Sequence, residues 1–339
     1  MNRAQSNAVQ FGSPVQASDL DTVFCGRHPQ ASAARRDTPV SQRQREDFQT
    51  GDLPRGVARK CPTRPNYGLQ NRRGGNTVRL YRRFSNSTED RELFVCISSR
   101  SFAELDFAAA CQQAQESHFD RIEIWLDAAG KHLSAATVSA DPESFAAHLR
   151  EATRLTAVAF QLESAVPVSV FAGVCRACKH LRITQITIPA SPLGTPFNEE
   201  IDRLRELTKL AVQDGVRVSV KTETGKLTQD IRTAVELCQT VVGLGLTFDP
   251  SYFLADPLGE RVVDLAAPYT FHVHLRDSTP TEVQVPVGLG ELDYARMIQQ
   301  LKRVNYQRAL SVELIPQLIE LPARGLELRK MRMLLESLL

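Results

Sequence analysis

Apolar and polar residues alternate in eight short runs from Leu93 onward: LFVCIS (93–98), RIEIWLD (121–127), TAVAFQLE (156–163), ITQITIP (183–189), VRVSVKTE (216–223), LGLTFD (244–249), FHVHLR (271–276) and ALSVEL (309–314). A period of two marks a strand whose successive side chains point to opposite faces. Between the runs lie helix-length segments at about 103–117, 142–154, 168–181, 198–213, 228–239, 257–267, 293–303 and 322–338. Several carry start signals: Asp141 before Pro142, Asn198 before two glutamates, and Thr228 before Gln229, Asp230 and Ile231. Regular alternation of strand and helix predicts parallel strands joined by crossover helices. Eight such units predict an α/β fold of the closed (β/α)8 TIM-barrel type over residues 92–339. An open doubly wound sheet fits less well, because the turn after the first strand, SSRSFAEL, has no GxGxxG.

In a barrel the apolar parity of each strand faces the helices and the other parity faces the lumen. On that rule Ile122, Ile124 and Leu126 point outward and Arg121, Glu123, Trp125 and Asp127 inward. The fifth run sends Val216, Val218 and Val220 outward and Lys221 and Glu223 inward, and the sixth and eighth place Asp249 and Glu313 inside. The seventh is the strictest: Phe271, Val273 and Leu275 share one face, while His272, His274 and Arg276 share the other. Barrel interiors are usually filled by branched aliphatics, and buried charges are costly unless paired or metal-bound. A lumen lined by these ionisable groups is therefore either an internal salt-bridge network or a site. An Asp, a His and a Glu converging from the ends of the sixth, seventh and eighth strands are an oxygen-and-nitrogen set suited to a divalent metal such as Mn, Mg or Zn.

Composition changes the picture at the N-terminus. The formal net charge of +2 conceals 16 basic against 8 acidic residues over 1–91, and 25 against 31 in the remainder. The first segment has no sustained periodicity and few large apolar residues, so it is expected to be a disordered basic leader. Its basic residues are almost all arginine and its aromatics are sparse, which argues against a nucleic-acid arm. The abrupt onset of patterning at Leu93 carries a further expectation, a start codon assigned too far upstream, which mapping the N-terminus of the native protein checks. No apolar run suits a membrane span or a signal peptide, so the expected compartment is the cytoplasm. Seven scattered cysteines do not form a disulfide framework. Cys175 and Cys178 form a CxxC without a second pair, and buried thiols on a helix face are the expectation.

HVHLRDS, followed by VGLGELDYARMIQQLKRVNYQRALSVEL, resembles the C-terminal third of the xylose isomerase-like TIM-barrel superfamily. GLGLTFDPSYF resembles its sixth-strand l-x-D-x-x-H and FDRIEIWLD its second-strand GfdgvEl, so the resemblance covers roughly residues 93–320 in order and spacing. Carried over position by position, it implies Asp249, His274 and Glu313 as metal ligands. Two positions depart: Lys221 stands where the family has a glutamate ligand, and Tyr252 where it has a histidine.

The resemblance implies isomerisation or epimerisation of a small sugar or polyol, phosphorylated or not, by proton transfer through an enediolate. Lys221, Glu223 and Arg276 are the expected catalytic groups, Arg276 as substrate anchor, and Glu123, Trp125 and Tyr252 are expected at the substrate. Asp277 is expected to orient His274, and His272 to pack one layer deeper. Three outcomes stay open for Lys221: acid/base beside a metal completed by Glu223, replacement of the metal, or an inactive sugar-binding barrel. A DNA-repair activity of the AP endonuclease type is the rival from another class, weakened by few histidines and a net negative folded part. No membrane partner is expected, and a homo-oligomer is left open.

Overall fold

Eight parallel strands close into a barrel in chain order: β1 (Phe94–Ser98), β2 (Arg121–Leu126), β3 (Thr156–Leu162), β4 (Gln185–Ile188), β5 (Arg217–Lys221), β6 (Leu244–Phe248), β7 (Thr270–Leu275) and β8 (Ala309–Val312). This computed structural model describes residues 92–339 apart from Ala129; the leader expected over 1–91 lies outside the described residues. The α-helices are α1 (Phe107–Glu116), α2 (Ala135–Ala140), α3 (Pro142–Ala152), α4 (Val168–Leu181), α5 (Phe197–Gln213), α6 (Ile231–Thr240), α7 (Arg261–Ala266), α8 (Tyr294–Arg303) and α9 (Leu321–Glu336). None of them is long and apolar enough to cross a membrane.

The outward parity is buried as expected: Ile122, Ile124, Val218, Val220 and Leu246 are fully enclosed against the helices. Each such aliphatic contributes about 1.5–3 kcal/mol on burial, which pins every register, since a one-residue slip would exchange the faces. The ladder is irregular in two places. Leu246 pairs with Thr270 but Thr247 pairs with His272, so Phe271 is skipped. Ala157 and Ala159 pair with successive residues of β2, which skips Val158. Phe271 was expected beside Val273 and Leu275. Instead the bulge frees its ring, which occupies the space a side chain at Gly245 would need: a Cβ there would lie 2.2 Å from the ring.

Helix starts follow local hydrogen bonding. Asp141 caps α3 by accepting from Ser144 N at 3.0 Å. The cap of α6 is Asp230, accepting from Thr233 N at 2.7 Å, and not Thr228, whose buried hydroxyl donates to Lys221 O at 2.6 Å. Asn198 lies inside the first turn of α5, which follows Pro196 without a side-chain cap. The unexpected α2 is too short to show a 3.6-residue period; it packs on α4 where Gly173 leaves room for Ser139. The described cysteines are buried and unpaired. Burial pushes the Cys175 thiol up to about 12 and Cys178 well above its ordinary value, so both are inert core groups of α4.

One charged cluster outside the barrel fastens the loop after β4. Glu200 on α5 accepts from Ser191 Oγ at 2.6 Å and from Arg203 Nε at 2.7 Å. Burial alone would raise the carboxyl's pKa, but the bonds from Arg203 and Ser191 outweigh it and hold the pKa below the ordinary carboxylate value. A lowered folded-state pKa contributes stability above the unfolded pKa and loses it as pH falls through the carboxylate range. Glu200→Gln should therefore cost about 2 kcal/mol near neutrality and flatten the acid limb of the stability profile. Melting curves of both proteins between neutral and acid pH check this; identical acid limbs would remove the role.

Candidate active site

The strand ends that form the mouth of the barrel carry most of the inward charges. Lys221 closes β5, and Asp249, Arg276 and Glu313 each stand one residue past β6, β7 and β8. Catalytic groups of such barrels sit at this face. Glu313 is the hub, fully buried, and its Oε1 accepts from Lys221 Nζ at 2.6 Å, Arg100 Nη1 at 3.0 Å and Arg276 Nη2 at 3.3 Å. Its Oε2 accepts from Ser98 Oγ at 3.3 Å and lies 3.5 Å from His274 Nδ1. Arg276 Nη2 also donates to Asp249 Oδ2 at 2.6 Å, and its Nε donates to the Glu313 carbonyl at 3.0 Å. Asp249 Oδ1 accepts from the Ser251 hydroxyl at 2.6 Å and its backbone N at 3.1 Å.

One layer deeper, Glu123 meets both imidazoles of β7. His274 Nε2 lies 2.9 Å from Oε2 and His272 Nε2 3.2 Å from Oε1, while Ser311 Oγ donates to Oε2 at 2.6 Å. The two rings stand edge to face, with centroids 5.2 Å apart. Burial would raise the pKa of Glu123, but the histidines outweigh it and hold the carboxyl well below the usual range. Glu313 is likewise held far down, its burial overcome by His274, Lys221, Arg100 and Arg276. Both sets of neighbours therefore favour the carboxylate form. Burial would lower Arg276, but Asp249, Tyr252 and Glu313 raise it above the ordinary arginine value.

The structure brings Asp249, His274 and Glu313 together with Lys221 and Arg276, and puts Glu123 behind His274. Arg276, expected to anchor substrate, is wholly enclosed and ties Asp249 to Glu313. Glu123 is equally enclosed, and Trp125 is 5 % exposed with its ring 5.6 Å from that of His132. Tyr252 and Glu223 are half-buried. The Arg276 guanidinium lies 5.4 Å from the Tyr252 ring centre. Asp277 does not orient His274. It accepts from Gly288 N at 2.7 Å, Gly290 N at 3.0 Å and Tyr294 Oη at 3.1 Å, fastening the glycine loop that precedes α8. A side chain at Gly290 would fall 2.0 Å from Asp277 Oδ1, so the clamp requires that glycine. The carboxylate behind His274 is Glu123.

Three residues of the site escaped sequence reasoning. Arg100, in the turn after β1, reaches Glu313 with its side chain 23 % exposed. Its signal was its place just beyond a strand's C-terminal end. Ser98 closes β1, its single hydroxyl 3.3 Å from both Glu313 Oε2 and Gln161 Oε1, and neither Ser98 nor Gln161 carries a charge to single it out among the strand residues.

Asp249, His274 and Glu313 offer ligand atoms all within 4.8 Å of one another, a buried group that could hold a metal ion; Glu123, His272 and His274 form a second. Glu223 joins neither. The orphaned Nδ1 of His274, buried without a hydrogen-bond partner, suits the first group. The surrounding charge does not. Asp249 and Glu313 bring two carboxylates and already touch three cations, Lys221, Arg276 and Arg100. An ion bonded to Glu313 Oε1 at about 2.1 Å would lie within roughly 5 Å of a Lys221 Nζ that is 2.6 Å from the same oxygen. At an effective dielectric of about 20, that repulsion is roughly 7 kcal/mol for a dication and an ammonium. The donor types fit a divalent metal, and the charge balance opposes one.

A family model of xylose isomerase-like TIM barrels matches residues 111–334. No curated protein matches the chain. Among solved structures, the IOLI protein with a bound zinc atom superposes with a TM-score of 0.56 at 18 % identity, covering 73 % of this chain and 98 % of that one. The D-allulose 3-epimerase of a Methylomonas species in complex with D-allulose gives 0.55 at 14 % identity, with 74 % and 98 % covered. The probable 3-DHS dehydratase AsbF of Bacillus anthracis gives 0.54 at 18 %, with 72 % and 98 % covered. A xylose isomerase-like barrel of Mycobacterium smegmatis in complex with magnesium gives 0.54 at 14 %, with 71 % and 97 % covered. At these identities the likeness is one of fold.

Proposed function

Because the chain belongs to the xylose isomerase-like TIM-barrel family, we propose that it is an isomerase or epimerase of a small sugar or polyol, working at the mouth of its barrel. One observation carries the reading: Lys221, Arg100 and Arg276 converge on Glu313 beside Asp249 and His274, at the face where such barrels do chemistry. The similar structures with D-allulose, zinc or magnesium support it as relatives of the same fold.

Isomerisation and epimerisation both remove a proton from a carbon beside a carbonyl and return it elsewhere or to the other face. The passing enediolate needs positive charge at its oxygen. Lys221 supplies it here: Glu313 holds the ammonium at 2.6 Å and aims it as an oxyanion-stabilising donor and general acid. Glu223, half-buried two residues on, takes the proton as base. Arg100, the partly exposed guanidinium, anchors substrate hydroxyls in place of the enclosed Arg276, and Tyr252 lines the rim. Arg276 acts through the carboxylates it holds.

A second reading has one observation in its favour, the unpartnered Nδ1 of His274. There Asp249, His274 and Glu313 would hold a divalent ion that polarises the substrate oxygens. Deuterium wash-in from heavy water over a panel of ketoses and their phosphates, with and without added Mn, Mg or Zn, tests the function in either form. Exchange at the carbon next to the carbonyl is expected for at least one substrate; no exchange across the panel under every metal condition would sink the isomerase reading.

A further inference from the structure

We infer that Lys221 and Arg276 stand in for the metal ion: the mouth of this barrel is a charge-balanced site that runs without a resident dication. The inference deepens the function proposed above and shares its site.

The argument begins with position. Lys221 ends β5, and its ammonium reaches across the mouth to Glu313 at 2.6 Å. Arg276 follows β7 and spans the two carboxylates, 2.6 Å from Asp249 and 3.3 Å from Glu313. Together they bridge the same two anions that a dication would bridge, with Arg100 adding a third cation on Glu313 at 3.0 Å. Asp249 and Glu313, with Glu223 near enough to act on the Arg100 charge, match the three cations, so no negative charge is left over for an ion. The remaining deep carboxylate, Glu123, is committed to His272 and His274 and offers no surplus charge. Nor does Glu223 restore a fourth anionic ligand, since it lies outside the Asp249, His274 and Glu313 group.

Donor counting agrees. Glu313 Oε1 already takes hydrogens from three cationic donors, and both Asp249 oxygens are bonded. A guanidinium and an ammonium present N–H donors to substrate oxygens or to the carboxylates that flank them, where an ion would present open coordination positions. The substrate oxygens then meet hydrogen-bond donors, and turnover does not depend on metal supply.

The test measures metal content, so its result is independent of whether a substrate has been found. The full chain is produced in medium supplemented with Mn, Zn and Mg, desalted, and analysed for elements; melting temperature is read with chelator and with each metal alone. The wild type should hold far less than one equivalent per chain and melt at the same temperature throughout. Lys221→Glu removes the ammonium and restores an anion, and should take up one equivalent, melt higher in Mn or Zn than in chelator, and lose both properties when Asp249→Ala is added. One equivalent in the wild type, lost on Asp249→Ala, overturns the inference whether or not Lys221→Glu folds. A folded Lys221→Glu that binds no metal overturns the assignment of Lys221 as the ion's replacement. Exchange activity that vanishes in chelator would defeat this inference and leave the proposed function standing, whereas a metal-free wild type with no exchange on any substrate would do the reverse.

Discussion

Glu313→Gln should be among the most damaging single substitutions in the barrel, lowering stability by about 3–5 kcal/mol, the usual cost of removing one partner from a buried ion pair. The carboxylate is fully buried and answers three cations, of which Lys221 and Arg276 are themselves almost wholly enclosed. Glutamine fills the same volume but removes the charge, so Asp249 alone would face Arg276 and nothing would offset Lys221. Its amide would also turn an N–H₂ towards donors, leaving buried groups unsatisfied. For a barrel of this size the loss corresponds to a fall in melting temperature on the order of 10 °C. Thermal unfolding of the full chain measures it. A Glu313→Gln protein that melts with the wild type would mean that the cations reach solvent, and the enclosed charge balance would have to be abandoned.

That balance was only half legible in the sequence, and the division has a physical cause. Strand parity depends on which residues repel water, a property each side chain carries by itself. Ile122, Val218 and Leu246 therefore declared the outer face, and Glu123, Lys221, Asp249, His274 and Glu313 the inner one, without reference to distant partners. Phe271 broke the rule because a ladder irregularity is decided by the neighbouring strand: its ring follows the space left by Gly245 on β6, and nothing in FHVHLR contains that information. The Thr228 cap failed for a related reason, while Asp141 caps α3 as expected. Thr228 has a cap's chemistry, but its hydroxyl is taken by the Lys221 carbonyl, and Asp230 is left to start α6.

Partner choice in the site was the least legible. Sequence spacing placed Asp277 near His274, but the backbone N–H groups of Gly288 and Gly290 are better partners for a carboxylate just past a strand, and Glu123, distant in sequence and adjacent across the barrel, meets the imidazole instead. Arg276 looked like a substrate anchor because arginine usually reaches solvent; two carboxylates at the strand ends draw it inward until it is enclosed. Arg100 lay in a turn with no periodic pattern to give it a direction.

Lys221→Met separates chemistry from architecture in the same cluster. Methionine keeps most of the lysine's volume and apolar stem while deleting the ammonium. Glu313 would still be paired by Arg100 at 3.0 Å and Arg276 at 3.3 Å, so no buried anion is stranded, and the cost in stability should be about 1–2 kcal/mol. The cost in turnover should be far larger. If the ammonium holds the enediolate oxygen, removing one such donor lowers kcat by about a hundredfold to a thousandfold, with KM little changed because the charge it stabilises develops after substrate binds. Initial rates of deuterium wash-in across substrate concentrations, beside a melting curve, read both quantities from one preparation. A variant that exchanges protons at the wild-type rate would leave Lys221 a counter-ion to Glu313 and nothing more. A variant that loses activity only in proportion to its unfolded fraction would say the same. A collapse in kcat on a folded protein would place the ammonium at the reacting oxygens, since the two remaining arginines keep the Glu313 charge matched and only the transition state has lost its donor.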